Sequence, residues 1–121
     1  MYSPQVLYHF QNARNAGDLP DADVNVQVEN PACGDILQLA IKIAEGRITH
    51  ARFRARGCVA AIACGSQLTE MITGQALAAA RNLRREQLVE ALGGLPEASG
   101  HAGHLAMDTL AAALRAMENR G

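Results

Sequence analysis

Two cysteines beside glycines offer this chain its most reactive side chains. Cys33 stands in PACGD (31–35), with Asp35 two residues on, and Cys58 stands in RGCVA (56–60). Further along, SGHAGHLAMD (99–108) brings His101 and His104, three apart and so on one face of a helix that has begun by then. Thiolate, carboxylate and imidazole are the donors of a tetrahedral zinc or iron site. Cys58 opens a stretch of helical period, and a thiol at a helix N-terminus has its thiolate stabilised by exposed N–H groups. The sequence therefore predicts a depressed pKa for Cys58.

Each residue also has a plainer reading. Cys33 or Cys58 alone fits a buried, inert thiol, although both lie at strand–turn junctions and not in an apolar stripe. Asp35 beside Gly34 fits a turn cap. Cys64 falls on the apolar side of its helix with Leu68 and reads as core. His104 is in phase with Met107, Leu110 and Leu114, which predicts a partly buried, hydrogen-bonded histidine. His101, at the helix start, is left to point toward a neighbouring loop.

Positioning these residues requires a particular order of elements. Ser3-Pro4 starts a helix with Val6, Leu7 and Phe10 on one side. Asn, Gly, Asp and Pro make 12–23 a loop. Val24, Val26 and Val28 alternate with polar residues, as do Leu37, Leu39, Ile41 and Ile43. Glu45-Gly46 turns the chain into a return strand with Ala51, Phe53 and Ala55 inward and Arg52, Arg54 and Arg56 outward. Ile48 has the wrong parity for that inward face, which predicts a bulge near Thr49. From Gly57 the period becomes helical, with Ala61, Cys64, Leu68, Met71 and Ile72 on one face and Gly74 as the stop. Short helices follow at 75–80 and 84–92, and a last one runs from about Gly100 to Glu118 through Met107, Leu110, Leu114 and Met117. The fold class is α+β: a three-stranded antiparallel β-meander with helices packed on one face. In a meander, the turn joining the first two strands and the exit of the third strand lie at one end of the sheet, so Cys33, Asp35 and Cys58 can converge.

The bulk properties narrow the function. A chain of 121 residues fits a single domain, 1–121, and apolar residues at 49% with charged residues at 19% are ordinary for a globular protein. A net charge of −1 gives no electrostatic footprint for nucleic acid, and no aromatic shares the outward face with Arg52, Arg54 and Arg56 to stack bases. The longest apolar run, Cys58 to Cys64, is too short to span a bilayer, and the first ten residues lack the pattern of a signal peptide. Three cysteines, an odd number, argue for free thiols in a reducing cytoplasm. There is no GxSxG, no phosphate loop and no carboxylate pair placed for acid–base catalysis, so a binding protein is expected and not an enzyme.

Tyr2-Ser3, HFQNARNAG at 9–17, PACGD at 31–35, RGC at 56–58 and AIA…LTE at 61–70 share one further property with Leu95-Pro96, His101, Leu105-Ala106 and Asp108. In this order and spacing they resemble the IscU/NifU-type iron–sulfur cluster assembly scaffolds, over almost the whole chain. The resemblance implies a solvent-facing site where a [2Fe–2S] cluster is built from iron and from sulfur delivered by a cysteine desulfurase, then passed to apo-proteins. It implies that Cys33 and Cys58 are cluster ligands, that Asp35 keeps the cluster labile and that His101 is the site histidine. Two positions depart from the pattern. Ala102 stands where the family has a third cysteine, the one tied to receiving sulfur, and LPEAS at 95–99 replaces the family's LPPVK, which argues against hand-off through the dedicated chaperone pair. Cys33, Asp35, Cys58 and His101 remain as S, O, S and N donors. They would suffice for a weakly ligated cluster, for iron, or in the alternative reading for a mononuclear structural or regulatory zinc.

Overall fold

The structure is a computed structural model and describes residues 1–119. The elements run α1 (Pro4–Gln11), β1 (Val24–Glu29), β2 (Ile36–Ala44), β3 (Arg47–Arg56), α2 (Val59–Ile72), α3 (Leu77–Arg81), α4 (Arg85–Ala91) and α5 (Gly100–Asn119), with a single 3-10 turn at Glu97–Ser99 leading into α5.

The period-2 strands pair as an antiparallel meander in the order β1-β2-β3. Inward rows cross all three strands, as in Val26–Leu39–Phe53 and Val28–Leu37–Ala55, and outward rows include Gln27–Gln38–Arg54. The β2–β3 turn takes positive φ at both Glu45 (55°) and Gly46 (75°), the conformation that matches the twist of a two-residue hairpin. Lys42 pairs with His50 and Ile43 with Ile48, so Thr49 is the extra residue of a bulge and Ile48 is returned to the core. This is the bulge that the parity of Ile48 predicts.

Helices α2 and α5 cover one face of the sheet, α2 against β3 and α5 against β1 and β2. The expected Ala61, Cys64, Leu68 and Ile72 of α2 and Leu110 and Leu114 of α5 are buried, but more of each helix is enclosed than its apolar pattern suggests. Around α2, Ala60, Ala61, Ala63, Cys64, Gly65, Ser66, Leu68, Thr69 and Ile72 are all buried, because α1, α4 and α5 enclose the helix from other sides. A Cβ on Gly65 would lie 2.5 Å from the Phe53 ring, so the missing side chain lets helix and sheet approach. On α5 the inward stripe is Ala102, Leu105, Ala106, Thr109, Leu110, Ala113 and Leu114, while Met107 and Met117 sit at its flank. Small residues set the inward face because close packing of helix on sheet favours them there.

Two expectations for α1 and α3 are corrected. On α1 the buried residues are Val6 and His9, whereas Leu7 and Phe10 are 42% and 40% exposed. His9 turns inward because its Nδ1 finds Ser66 Oγ on α2 at 2.7 Å. Helix α3 begins at Leu77 because the preceding residues are spent on β3: Ile48 donates its N–H to Gln75 O at 2.9 Å, and Ala76 bridges Arg47.

Candidate metal centre

The β1–β2 connection is short and self-bonded. Asn30 N–H donates to Asp35 O at 2.8 Å, Gly34 N–H donates to Asn30 O at 2.7 Å, and Gly34 adopts φ 77°. The side chain of Asn30 caps the turn, its Oδ1 accepting from Ala32 N–H at 2.9 Å. That is the role open to Asp35 on sequence grounds, and an Asn just before Pro was the signal for it. Asp35 is thereby free for other partners. Cys33 is exposed in this connection, and Asp35 is only 6% exposed at the start of β2.

The other two residues arrive from different segments. Cys58 is the N-cap of α2, separated from the end of β3 by Gly57 alone. His101 is in the first turn of α5, half-buried, where the docking of α5 on β1 and β2 brings its N-terminus to this end of the sheet. Cys58 Sγ donates to Asp35 Oδ2 at 3.2 Å and lies 3.9 Å from His101 Nε2. His101 Nε2 is 3.3 Å from the same Asp35 oxygen. One donor atom each from Cys33, Asp35 and His101 all fall within 4.8 Å of one another. Among the described residues this is the one such group of three or more, and Cys58 adjoins it through Asp35 and His101.

Sulfur, oxygen and nitrogen donors drawn from three segments can hold a soft or borderline metal, with one exposed side for entry. The thiol state differs from the sequence expectation. Burial pushes the Cys58 thiol above its ordinary value. The α2 amides of Ala61 and Ala60 pull the other way, but the hydrogen bond and negative charge of Asp35 reinforce the rise. A helix N-terminus alone would have depressed it. Without metal, Cys58 is thus a thiol donating to Asp35, and a metal must displace that proton to bind.

The remaining candidates separate. Cys64 is fully buried, as its phase predicts. His104 is exposed, which overturns the expectation of a core histidine: it shares the outward stripe of α5 with Asp108 and Arg115, about half a helical turn round from the alanine face. Ala102, next to His101, is 1% exposed and brings no donor. No helix among the described residues is long and apolar enough to cross a membrane.

A family model described as the NifU-like N terminal domain matches residues 1–121. The chain is 45% identical over 114 residues to the iron-sulfur cluster assembly scaffold protein IscU 1 of Archaeoglobus fulgidus, covering 94% of this chain and 74% of that protein. It is 40% identical over 117 residues to the scaffold protein IscU of Escherichia coli, covering 93% and 91%. In three dimensions it resembles the N-terminal part of a NifU-like protein from Brucella abortus, with a TM-score of 0.81 at 19% identity over 98% of this chain and 95% of that one. A similar likeness, with a TM-score of 0.73 at 18% identity over 93% and 96%, holds for a SUF-system scaffold protein from Fervidobacterium islandicum; these two likenesses speak to the fold. With the α+β meander and a Cys/Asp/His group at its end, the chain belongs to the NifU-like N-terminal domain family.

Proposed function

We propose that this protein, acting as one domain over 1–121, is an iron–sulfur cluster assembly scaffold or carrier that holds iron or a [2Fe–2S] cluster through Cys33, Asp35, Cys58 and His101. The observation that carries this reading is the approach of the Cys58 thiol and the His101 imidazole to one oxygen of Asp35, at 3.2 and 3.3 Å, beside the exposed thiol of Cys33. The scaffold names of its relatives support the same reading. The cargo is bound and released, not turned over. Sulfur comes from a cysteine desulfurase, and apo iron–sulfur proteins in the cytoplasm receive the product. Because Ala102 supplies no third thiolate, oxygen and imidazole donors complete the site, and they hold cluster iron less firmly than thiolate does. Loading is therefore weaker and release faster than at a three-thiolate site. LPEAS at 95–99 points to hand-off without the dedicated chaperone pair.

Anaerobic addition of ferrous iron and sulfide tests the proposal. Visible charge-transfer absorption should develop, and Cys33→Ala or Cys58→Ala should abolish it. A protein that stays colourless and iron-free under these conditions sinks the reading. Stoichiometric zinc in the purified protein, resistant to mild chelation, would replace it with the mononuclear zinc site.

A further inference from the structure

The residue before Cys58 is Gly57, whose φ of 141° lies in the region that side chains rarely adopt. A Cβ added there would lie 2.2 Å from Asp35 Oδ1, 2.5 Å from its Cγ and 3.0 Å from its Cβ. Three atoms of one short side chain crowd that point, so a swing of the outer oxygen alone would not clear it. The carboxylate would have to turn about χ1 and leave its place. That place matters because the other oxygen, Oδ2, is the one facing Cys58 Sγ and His101 Nε2.

We propose that Gly57 is a positioning residue of the site: the space left by its missing side chain seats Asp35 Oδ1, and this seat aims Oδ2 between the Cys58 thiol and the His101 imidazole. Asp35 and Cys58 thus meet through a close approach of the β1–β2 connection to the β3–α2 junction, and only glycine at 57 permits that approach. The proposal rests on the site proposed above for its purpose, but the contacts it uses belong to the protein alone.

The test is a cycle of Gly57→Ala, Asp35→Ala and the double variant, read first on metal-free protein. The alkylation rate of Cys58 by iodoacetamide is resolved from Cys33 and Cys64 by peptide mass mapping. Asp35→Ala removes the carboxylate that holds the thiol proton and should accelerate alkylation several-fold. Gly57→Ala should match that acceleration, and the double variant should be no faster than either single one. Unfolding midpoints supply the second readout. Gly57→Ala should be less stable than wild type because of both the clash and the strained φ, and Asp35→Ala should recover the part due to the clash. Wild-type alkylation in Gly57→Ala, or an equal loss of stability in both backgrounds, including failure of both to fold, overturns the proposal in favour of backbone strain alone. If wild type binds neither iron nor cluster, the functional reading fails, while these metal-free measurements still decide the role of Gly57.

Discussion

Cys64 sits fully buried on α2, and burial pushes its thiol up to about 12, with the neighbouring Cys58 adding to the rise. The ordinary value is 9.0, which is where the unfolded chain gives up this proton. Between those two values the unfolded state has lost a proton that the native state keeps. The stability from burying the neutral thiol is therefore fully present below about pH 9 and is lost as pH rises toward about 12, by up to about 1.4 kcal/mol per pH unit. Urea unfolding from about pH 8 to about pH 11 should show this decline, and Cys64→Ala should flatten it relative to wild type. An identical slope in the variant would mean that another group titrates. At this scale the sequence is readable wherever helical phase or topology decides. Cys64 follows from its phase with Leu68, and the meeting of Asp35 and Cys58, with Cys33 in the connection beside Asp35, follows from the ends of a meander. It misleads where a tertiary neighbour decides. Burial, reinforced by the charge of Asp35, opposes the helix amides at Cys58, and the alanine face of α5 turns His104 outward.

Between α1 and β3, the loop 12–23 is held by polar side chains of α2. Ser66 Oγ accepts from Arg14 N–H at 2.7 Å and meets His9 Nδ1 at 2.7 Å. Thr69 Oγ1 is met by Asn15 Nδ2 at 3.2 Å, and Asn15 Oδ1 accepts from Arg52 at 3.1 Å. So anchored, Asn15 O and Gly17 N–H bond the two sides of Phe53, each at 2.9 Å, and the outer edge of β3 is covered. Arg54 is engaged as well, in a two-bonded pair with Asp18 at 2.6 and 3.1 Å. Two of the three outward arginines thus hold the loop. Replacing Ser66 by Ala leaves the Arg14 amide and the His9 ring without this partner, a loss of about 1–3 kcal/mol. The amides of Gly17 and Phe53 should then exchange faster with solvent than those of the β1–β2 ladder. Unchanged protection at both would show that the α2 hydroxyls do not hold the loop. The sequence displays 12–23 as a loop through its Asn, Gly, Asp and Pro. It does not display the docking, because the partners lie on α2 and β3, 36 to 54 residues along the chain. The strands are legible down to the bulge at Thr49, since alternation is a local signal that a parity break must interrupt.

For the molecule as a whole, the candidate site is a product of folding. Its donors come from the β1–β2 connection, the β3–α2 junction and the first turn of α5, and nothing local brings the three together. The α+β architecture is legible because the apolar period switches from two to helical at Gly57. The depth of α2 and α5 is not, because alanines and Gly65 mark the closest packing while Leu and Met dominate any hydrophobic pattern. A site assembled only in the native state couples metal binding to stability. A divalent ion at about a hundred times its dissociation constant should stabilise the fold by about 2.7 kcal/mol. Zinc is a convenient colourless probe, and the rise in unfolding midpoint on adding it measures the coupling. Leu110→Ala takes a buried side chain from α5 far from the donors, and should lower stability by about 2–5 kcal/mol in metal-free and metal-loaded protein alike. The zinc-induced increment should survive in that variant, because its folded fraction still presents all four side chains. Cys58→Ala and His101→Ala should lose most of the increment while remaining folded without metal. An increment that persists undiminished in His101→Ala would remove α5 from the site and leave the metal to the β1–β2 connection and Cys58.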